Sequence, residues 1–299
     1  MRILVTGVSG QVGGALVHRL RSLGGVLAAD RRTIDLSQPS LIADALDRLA
    51  PDLIVNPAAY TDVDRAEDER DLAFTVNAES PGVMARWAAN RGVPFVQLST
   101  DYVYDGSGER RWRENDPTAP LSVYGASKLA GERAVQAAGG ANLIVRTSWV
   151  YAAKGRNFLR TIARVACERA ELRVVDDQVG APTSAALIAD ILSRIVAGDK
   201  ALLAARFAAA EGITHVAASG CTSWCGFATA IVDGLRARGR AIKTERVIPI
   251  RTEEYPTKAR RPQNSRLDLS RLSEVFGESP PQWTSALATQ LDHFSFEES

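Results

Sequence analysis

The stretch Thr6-Gly7-Val8-Ser9-Gly10-Gln11-Val12-Gly13-Gly14 constrains the fold more than any other part of the chain. The run before it, Arg2–Thr6, is apolar and β-like, and the pattern after it, Gln11–Leu23, is helical. Glycines spaced G-x-x-G-x-x-G between a strand and a helix let the backbone turn tightly and approach a pyrophosphate, whose charge rests on the helix N-terminal amides. A glycine triplet alone is also an ordinary turn. The flanking strand and helix make it read as a dinucleotide loop, with Gly7, Gly10, Gln11, Val12 and Gly13 as cofactor-binding candidates.

The first half continues the alternation. Strands are expected at Arg2–Thr6, Val26–Ala29, Leu53–Val55, Phe95–Leu98 and Leu143–Arg146, apolar on both faces as in a covered parallel sheet. Helical patterns lie between them at about Gln11–Leu23, Pro39–Leu49, Ala66–Asn90 and Tyr124–Ala138. This predicts an α/β fold, a doubly wound parallel (Rossmann) sheet, with a smaller C-terminal substrate-binding domain. The second half is less regular, with helices expected at Arg156–Arg169, Ser184–Val196, Ser223–Arg238 and Thr284–Phe294. The division predicted is 1–165 for the dinucleotide domain, with later segments returning to it, and 166–299 mainly for the substrate-binding domain, which the resemblance named below makes a sugar-nucleotide domain. The alanine-rich stretch 200–212 suggests no role.

Composition removes several function classes. Among 299 residues, Lys plus Arg is 36 and Asp plus Glu is 35, a net charge of +1. That balance leaves no electrostatic footprint for nucleic acid or an anionic membrane. No 18-residue apolar run occurs, and residues 2–6 are too short for a secretory core, so a cytoplasmic protein is expected. Three cysteines (Cys167, Cys221, Cys225) are too few for a disulfide framework, and Cys221 and Cys225 have no second pair to complete a zinc site. His18, His215 and His293 are scattered, so no metal site is predicted.

At the end of the second strand stands Asp30, followed by Arg31 and Arg32. An acidic residue there accepts from a ribose 2′-hydroxyl, favouring NAD; an arginine meets a 2′-phosphate, favouring NADP. With both present, NADPH and NADH are both expected cofactors. Asp35 and Leu36 are placed at the adenine by analogy of fold. Tyr124 and Lys128 are four apart at the start of a helix and so share a face. A lysine ammonium near a phenol lowers its pKa from about 10, making the tyrosine a proton donor to a carbonyl oxygen. Thr100, at the end of the preceding strand, supplies a hydroxyl partner. Trp149 stands among polar neighbours beyond a strand end and reads as lining a cleft, or as a core tryptophan. Asn77, inside an expected helix, suits a role orienting nearby backbone. Arg260, Arg261 and Arg266, beside Pro262 and Asn264, are either a solvated face or a grip on a substrate diphosphate.

These residues resemble the extended short-chain dehydrogenase/reductase superfamily and, within it, the dTDP-4-dehydrorhamnose reductase family. The narrower likeness runs over nearly the whole chain. Its marks are GVSGQVGG at 7–14, NPAAYTDVDRAE at 56–67, STDYVYDG at 99–106 and PLSVYGASKLAGE at 120–132. RTSWVY at 146–151, DQVGAPT at 177–183 and ARRPQNSRLD at 259–268 complete them. The resemblance implies Thr100, Tyr124 and Lys128 as the catalytic set, and Gly10, Gln11, Val12, Asp30, Asp35 and Leu36 as cofactor contacts. It adds Ala58, Ala59, Tyr60 and Thr61 under the nicotinamide half, and Thr100, Asp101, Tyr102 and Trp149 around a deoxysugar. Pro57 departs from the family's usual alanine.

The activity implied by the likeness is reduction of a dTDP-4-keto-6-deoxy sugar by NAD(P)H, the last step of dTDP-L-rhamnose synthesis. A small-molecule nucleotide sugar is then the partner, with a homodimer and a magnesium ion at its contact as family features that map to no residues here. Two alternatives stay open: another nucleotide-sugar epimerase, dehydratase or ketoreductase, and a non-catalytic subunit of the methionine adenosyltransferase regulatory type.

Overall fold

The computed structural model describes residues 1–296, so the final three residues of the expected second domain fall outside it. The first half runs β1 (Arg2–Val5), α1 (Gln11–Leu20), β2 (Gly25–Ala28), α2 (Ile42–Leu49), β3 (Leu53–Asn56), α3 (Arg70–Phe74), α4 (Ser80–Asn90), β4 (Phe95–Thr100), α5 (Val123–Ala137) and β5 (Asn142–Thr147). The second runs β6 (Val150–Tyr151), α6 (Phe158–Glu168), β7 (Glu171–Val175), β8 (Val179–Gly180), β9 (Thr183–Ser184), α7 (Ala185–Ile195), α8 (Lys200–Ala209) and β10 (Ile213–His215). It ends with β11 (Thr222–Ser223), α9 (Trp224–Ala237), β12 (Arg246–Ile250), β13 (Asn264–Ser265), α10 (Ser270–Phe276) and α11 (Trp283–Asp292).

Among the described residues, six strands form one parallel sheet in the order β10-β5-β4-β3-β1-β2. Alternation along the strands divides two cores. Ile3 and Val5 of β1 face one layer with Leu16, Leu187, Ile188 and Ile191; Leu4 faces the other with Leu46, Met84 and Val135. A third core joins α6, α9 and α11 around Phe227 and Leu287. The order reverses direction between β1 and β3, which opens the crevice where such sheets bind ligands.

Two expectations are corrected. The alanine-rich stretch is α8, capped by Asp199 and leading directly into β10, a sixth strand that the apolar-run reading missed. The single helix expected over Ala66–Asn90 is broken into a 3-10 turn at Arg65–Glu67, α3, a π-turn at Thr75–Glu79 and α4. Pro81 accounts for the π-turn, because it has no N–H to offer the carbonyl four residues back, that of Asn77. The freed Asn77 carbonyl lies against α5, where a Cβ at Gly131 would sit 2.0 Å from its oxygen.

That contact reverses the usual sign of a helical Gly→Ala change. Propensity alone favours alanine by roughly 0.5–1 kcal/mol. Gly131→Ala should instead destabilise by about 1–3 kcal/mol through overpacking, read as a lower urea midpoint at unchanged m value. A raised midpoint would show that α5 can move away freely.

Candidate active site

Three loops meet at the carboxyl edge of the sheet. Gly7 has φ +56, and a Cβ there would lie 2.9 Å from Ala58, so the loop after β1 touches the loop after β3. A Cβ at Gly13 would lie 2.2 Å from the Gly7 carbonyl oxygen, so the helix starts hard against the turn. The N-cap Gly10 brings no side-chain hydrogen bond to α1. An uncapped first turn of bare amides in a glycine cradle fits the pyrophosphate of a dinucleotide. Gln11 is tied across to the other half by the Asn157 amide (3.0 Å).

Asp30 lies just past β2. Its Oδ1 accepts from the Arg32 and Thr33 amides and the Thr33 hydroxyl, each at 3.0 Å. Those bonds hold its carboxyl below the usual range. Asp35 Oδ1 likewise accepts from the Ser37 amide and hydroxyl, with Arg31 as a nearby positive charge. Leu36 is buried, its carbonyl accepting from the Ser80 hydroxyl. Beyond Ala58 and Ala59, Tyr60 is clamped by Asn77, whose Oδ1 accepts from the Tyr60 amide (2.8 Å) while Nδ2 donates to the Tyr60 carbonyl (3.0 Å) and the Ser127 hydroxyl (2.9 Å). The Tyr60 hydroxyl donates to Glu69 (2.7 Å); burial and that carboxylate push its pKa up to about 12. Thr61 next to it is exposed.

The Tyr–Lys helix begins at an N-cap, Ser122, whose hydroxyl accepts from the Gly125 amide. Tyr124 therefore lies in the first turn, with the Thr100 hydroxyl beside it and the Tyr102 ring edge-on at 5.6 Å. Thr100 accepts from the Tyr102 amide (3.2 Å) and donates to Asp101 (3.1 Å). Lys128 is buried, and its Nζ donates to the Leu98 carbonyl at 2.6 Å. One expectation is overturned here. The Tyr124 pKa is raised to about 12, by burial first, with Asp101 adding to the rise and Thr100 opposing it. Lys128 is not among the groups acting on the phenol, and its ammonium is bonded to the Leu98 carbonyl. Burial also brings Lys128 down to about 8, with Glu132 opposing the fall.

Asp101 is buried, with Oδ2 lacking a hydrogen-bond partner, as does the Ser265 hydroxyl next to it. Burial pushes Asp101 up to about 7, Ser265 and Thr100 opposing. Trp149 is buried in a left-handed conformation (φ 49) and stacks on Trp224 with centroids 3.7 Å apart and planes 8° from parallel. The three arginines are not alike. Arg261 pairs with Asp64 at 2.7 Å and Arg266 donates to the Glu109 carbonyl at 2.8 Å, whereas Arg260 is exposed and carries no bond or ion pair among the described residues. A surface cavity of about 530 Å³ lies elsewhere, lined by Arg110, Arg111, Arg113, Asp116 and Asp268.

The sequence reading missed a buried polar line beneath these loops. The Thr6 hydroxyl donates to Asn56, the Asn56 amide to Gln97 (2.7 Å), and the Gln97 amide to the Leu98 carbonyl (2.9 Å) that also receives Lys128. Polar residues inside otherwise apolar strands were the available signal. Among the described residues of the single chain no group of three or more His, Cys, Asp or Glu could hold a metal ion. None of the described helices is long and apolar enough to cross a membrane.

Comparison with known proteins is consistent over the whole length. The family model for the RmlD substrate binding domain matches residues 1–296. The dTDP-4-dehydrorhamnose reductase of Burkholderia thailandensis is 46% identical over 96% of this chain and 97% of its own. That of Escherichia coli K12 is 40% identical over 98% and 97%. The crystal structure of dTDP-4-dehydrorhamnose reductase from Bacillus anthracis in complex with NADP superposes with a TM-score of 0.86 at 32% identity, covering 98% and 99%.

Asp101 makes the site pH-sensitive in a defined direction. Its folded pKa lies above the ordinary value, so between about pH 4 and 7 the unfolded chain has released a proton that the folded one keeps. This contribution to stability is therefore full below pH 4 and is lost as pH rises towards 7. Asp101→Asn should gain stability relative to wild type across that interval, by an amount on the order of a few kcal/mol. Parallel denaturant titrations at pH 5 and pH 8 measure it; a constant difference would place the ionised carboxylate in the native state.

Proposed function

The chain belongs to the RmlD substrate-binding-domain family, and on that footing we propose that it reduces dTDP-4-dehydro-β-L-rhamnose to dTDP-β-L-rhamnose with NADPH. This is the last step of dTDP-L-rhamnose biosynthesis. The observation that carries the reading is the Thr100 hydroxyl beside Tyr124, with Lys128 buried one turn further along α5 and the glycine cradle at the carboxyl end of β1 in the same sheet.

Gly7, Gly10, Gln11, Val12 and Gly13 hold the pyrophosphate, Asp30, Arg31, Asp35 and Leu36 the adenosine, and Ala58, Ala59, Tyr60 and Thr61 underlie the nicotinamide. NADPH when bound supplies the hydride for C4 of the sugar. Thr100 donates a hydrogen bond to the C4 oxygen and Tyr124 delivers the proton. Burial keeps the Tyr124 phenol protonated, and Lys128, one turn further along α5, would hold the nicotinamide ribose and offset the charge left on the phenolate. Asp101, Tyr102 and Trp149 surround the deoxysugar. Arg260 is the arginine with an unpartnered guanidinium for the diphosphate, Arg261 and Arg266 shaping its loop. The same reading carries NADH as a second cofactor, a homodimer and a cytoplasmic location.

Incubation with NADPH and dTDP-4-dehydro-β-L-rhamnose should consume both in equal amounts and yield the 4-hydroxy product. An epimerase or dehydratase would return its cofactor unchanged, and a regulatory subunit would consume none. Tyr124→Phe should lower kcat by about 10²–10⁴-fold with little change in NADPH affinity; near-normal turnover would remove Tyr124 from the proton step. Arg31→Ala should weaken NADPH more than NADH, by roughly 1.5–3 kcal/mol for one charge-assisted contact. Equal losses for the two would place Arg31 away from the 2′-phosphate.

A further inference from the structure

Tyr124, Lys128 and Glu132 succeed one another at intervals of four along α5 and so share a face. The proposed reaction uses the first two. Glu132 is 2% exposed and meets Arg146 of β5, 3% exposed, through two parallel bonds, Nε to Oε1 at 2.9 Å and Nη2 to Oε2 at 2.6 Å. The Ser99 hydroxyl of β4 donates to Glu132 at 2.5 Å. Arg146 Nη1 continues to the Tyr104 hydroxyl (2.7 Å) and the Glu114 carbonyl (3.0 Å). Tyr104 in turn reaches His215 Nε2 at 2.8 Å. Burying a carboxylate and a guanidinium is costly even when paired, and hydrophobic residues of similar size often do as well or better. A pair kept one helical turn from Lys128 therefore invites a reason other than stability.

Resting on the reading of Lys128 as catalytic, we propose that Glu132 and Arg146 are positioning residues forming a buried charge clamp that sets how firmly Lys128 holds its proton. Lys128 has given up its water, and Leu98 offers it a neutral carbonyl. Glu132 supplies the compensating negative charge. Arg146 draws off part of that charge by holding both carboxylate oxygens, which leaves the lysine ammonium present but poised. Asp71, Glu79 and Arg86, from the elements packed on the other side of α5, line a surface pocket at Ala134, and the remaining groups also act elsewhere. Asp101, after β4, acts on Tyr124; Glu67, on the 3-10 turn, accepts from the Val123 amide; Asn77, on the π-turn, is neutral. His215 on β10 lies beyond Arg146, held neutral by burial with its pKa brought down to about 3.

The clamp makes an unusual demand on the two single variants: their effects on Lys128 must have opposite signs. Glu132→Gln removes the negative charge, so Lys128 should titrate lower; Arg146→Met frees the carboxylate, so Lys128 should titrate higher. Each shift should be about 1–3 pH units. A structural disturbance would weaken both variants without opposing their titrations. The chain has five lysines, Lys128, Lys154, Lys200, Lys243 and Lys258, so ε-¹³C-lysine NMR of the NADPH-free protein resolves Lys128, assigned by its loss in Lys128→Met.

The alkaline limb of the kcat–pH profile should move in the same two directions. Lys128 midpoints that stay put, or move the same way in both variants, would overturn the clamp. Opposite NMR shifts with an unmoved kcat limb would support the clamp and sink instead the catalytic reading of Lys128. Should either variant fail to fold, Glu132→Asp and Arg146→Lys keep both charges. The shorter carboxylate should lower Lys128 by a smaller step and the looser cation raise it, and no movement in either overturns the proposal.

Discussion

A helix carrying a tyrosine, a lysine and a glutamate along one face can be buried only if each polar end finds a partner. That condition shapes the centre of the molecule. α5 meets it by lying against β4 and β5, where Leu98, Ser99, Thr100 and Arg146 offer partners in register with its turns. Its opposite side must then accept the π-turn, and Gly131 is the position that lets the two backbones meet. Fixing α5 this closely also fixes Asn77, and through it Tyr60 in the loop beneath the proposed nicotinamide site. The loop after β3 and α5 are thus aligned through the same π-turn, by the Gly131 approach and the Asn77 hydrogen bonds.

Much of this was legible from residues. Glycine spacing between a strand and a helix marked the cradle, and apolar runs located five strands of the main sheet. Intervals of four placed Tyr124 with Lys128. The parts that stayed hidden depended on partners distant in sequence. β10 is only three residues long, too short to carry a pattern, and is a strand because β5 accepts it. Its neighbour α8 looked like a low-information alanine stretch. The π-turn needed the link between Pro81 and the carbonyl of Asn77, a backbone effect rather than one of composition.

Charges divided in the same way. The Tyr–Lys interval gave the shared helix face but the wrong direction for the phenol, which burial raises while the lysine is bonded to a carbonyl. Arginine density near 260 suggested a common anionic client, whereas Asp64 and the Glu109 carbonyl, far away in sequence, already engage two of the three. Glu132 belonged to the same helix face as Lys128 and could have been noticed, but its bidentate partner, Arg146, is set by strand register.

The return of residues 213–215 to the main sheet has a consequence for how the polypeptide must be assembled. β5 is complete by residue 147, yet its outer edge is satisfied only after about seventy further residues have been made. One of the two cores flanking the sheet also draws Leu187, Ile188, Ile191, Leu203, Phe207 and Val216 from that later stretch. A nascent chain ending near residue 165 therefore exposes a naked strand and half a core, the combination most prone to sticking to its neighbours. The nucleotide half is not a detachable part. Its completion waits on the ribosome, and the protein reaches a protected state only when nearly all of it has been synthesised.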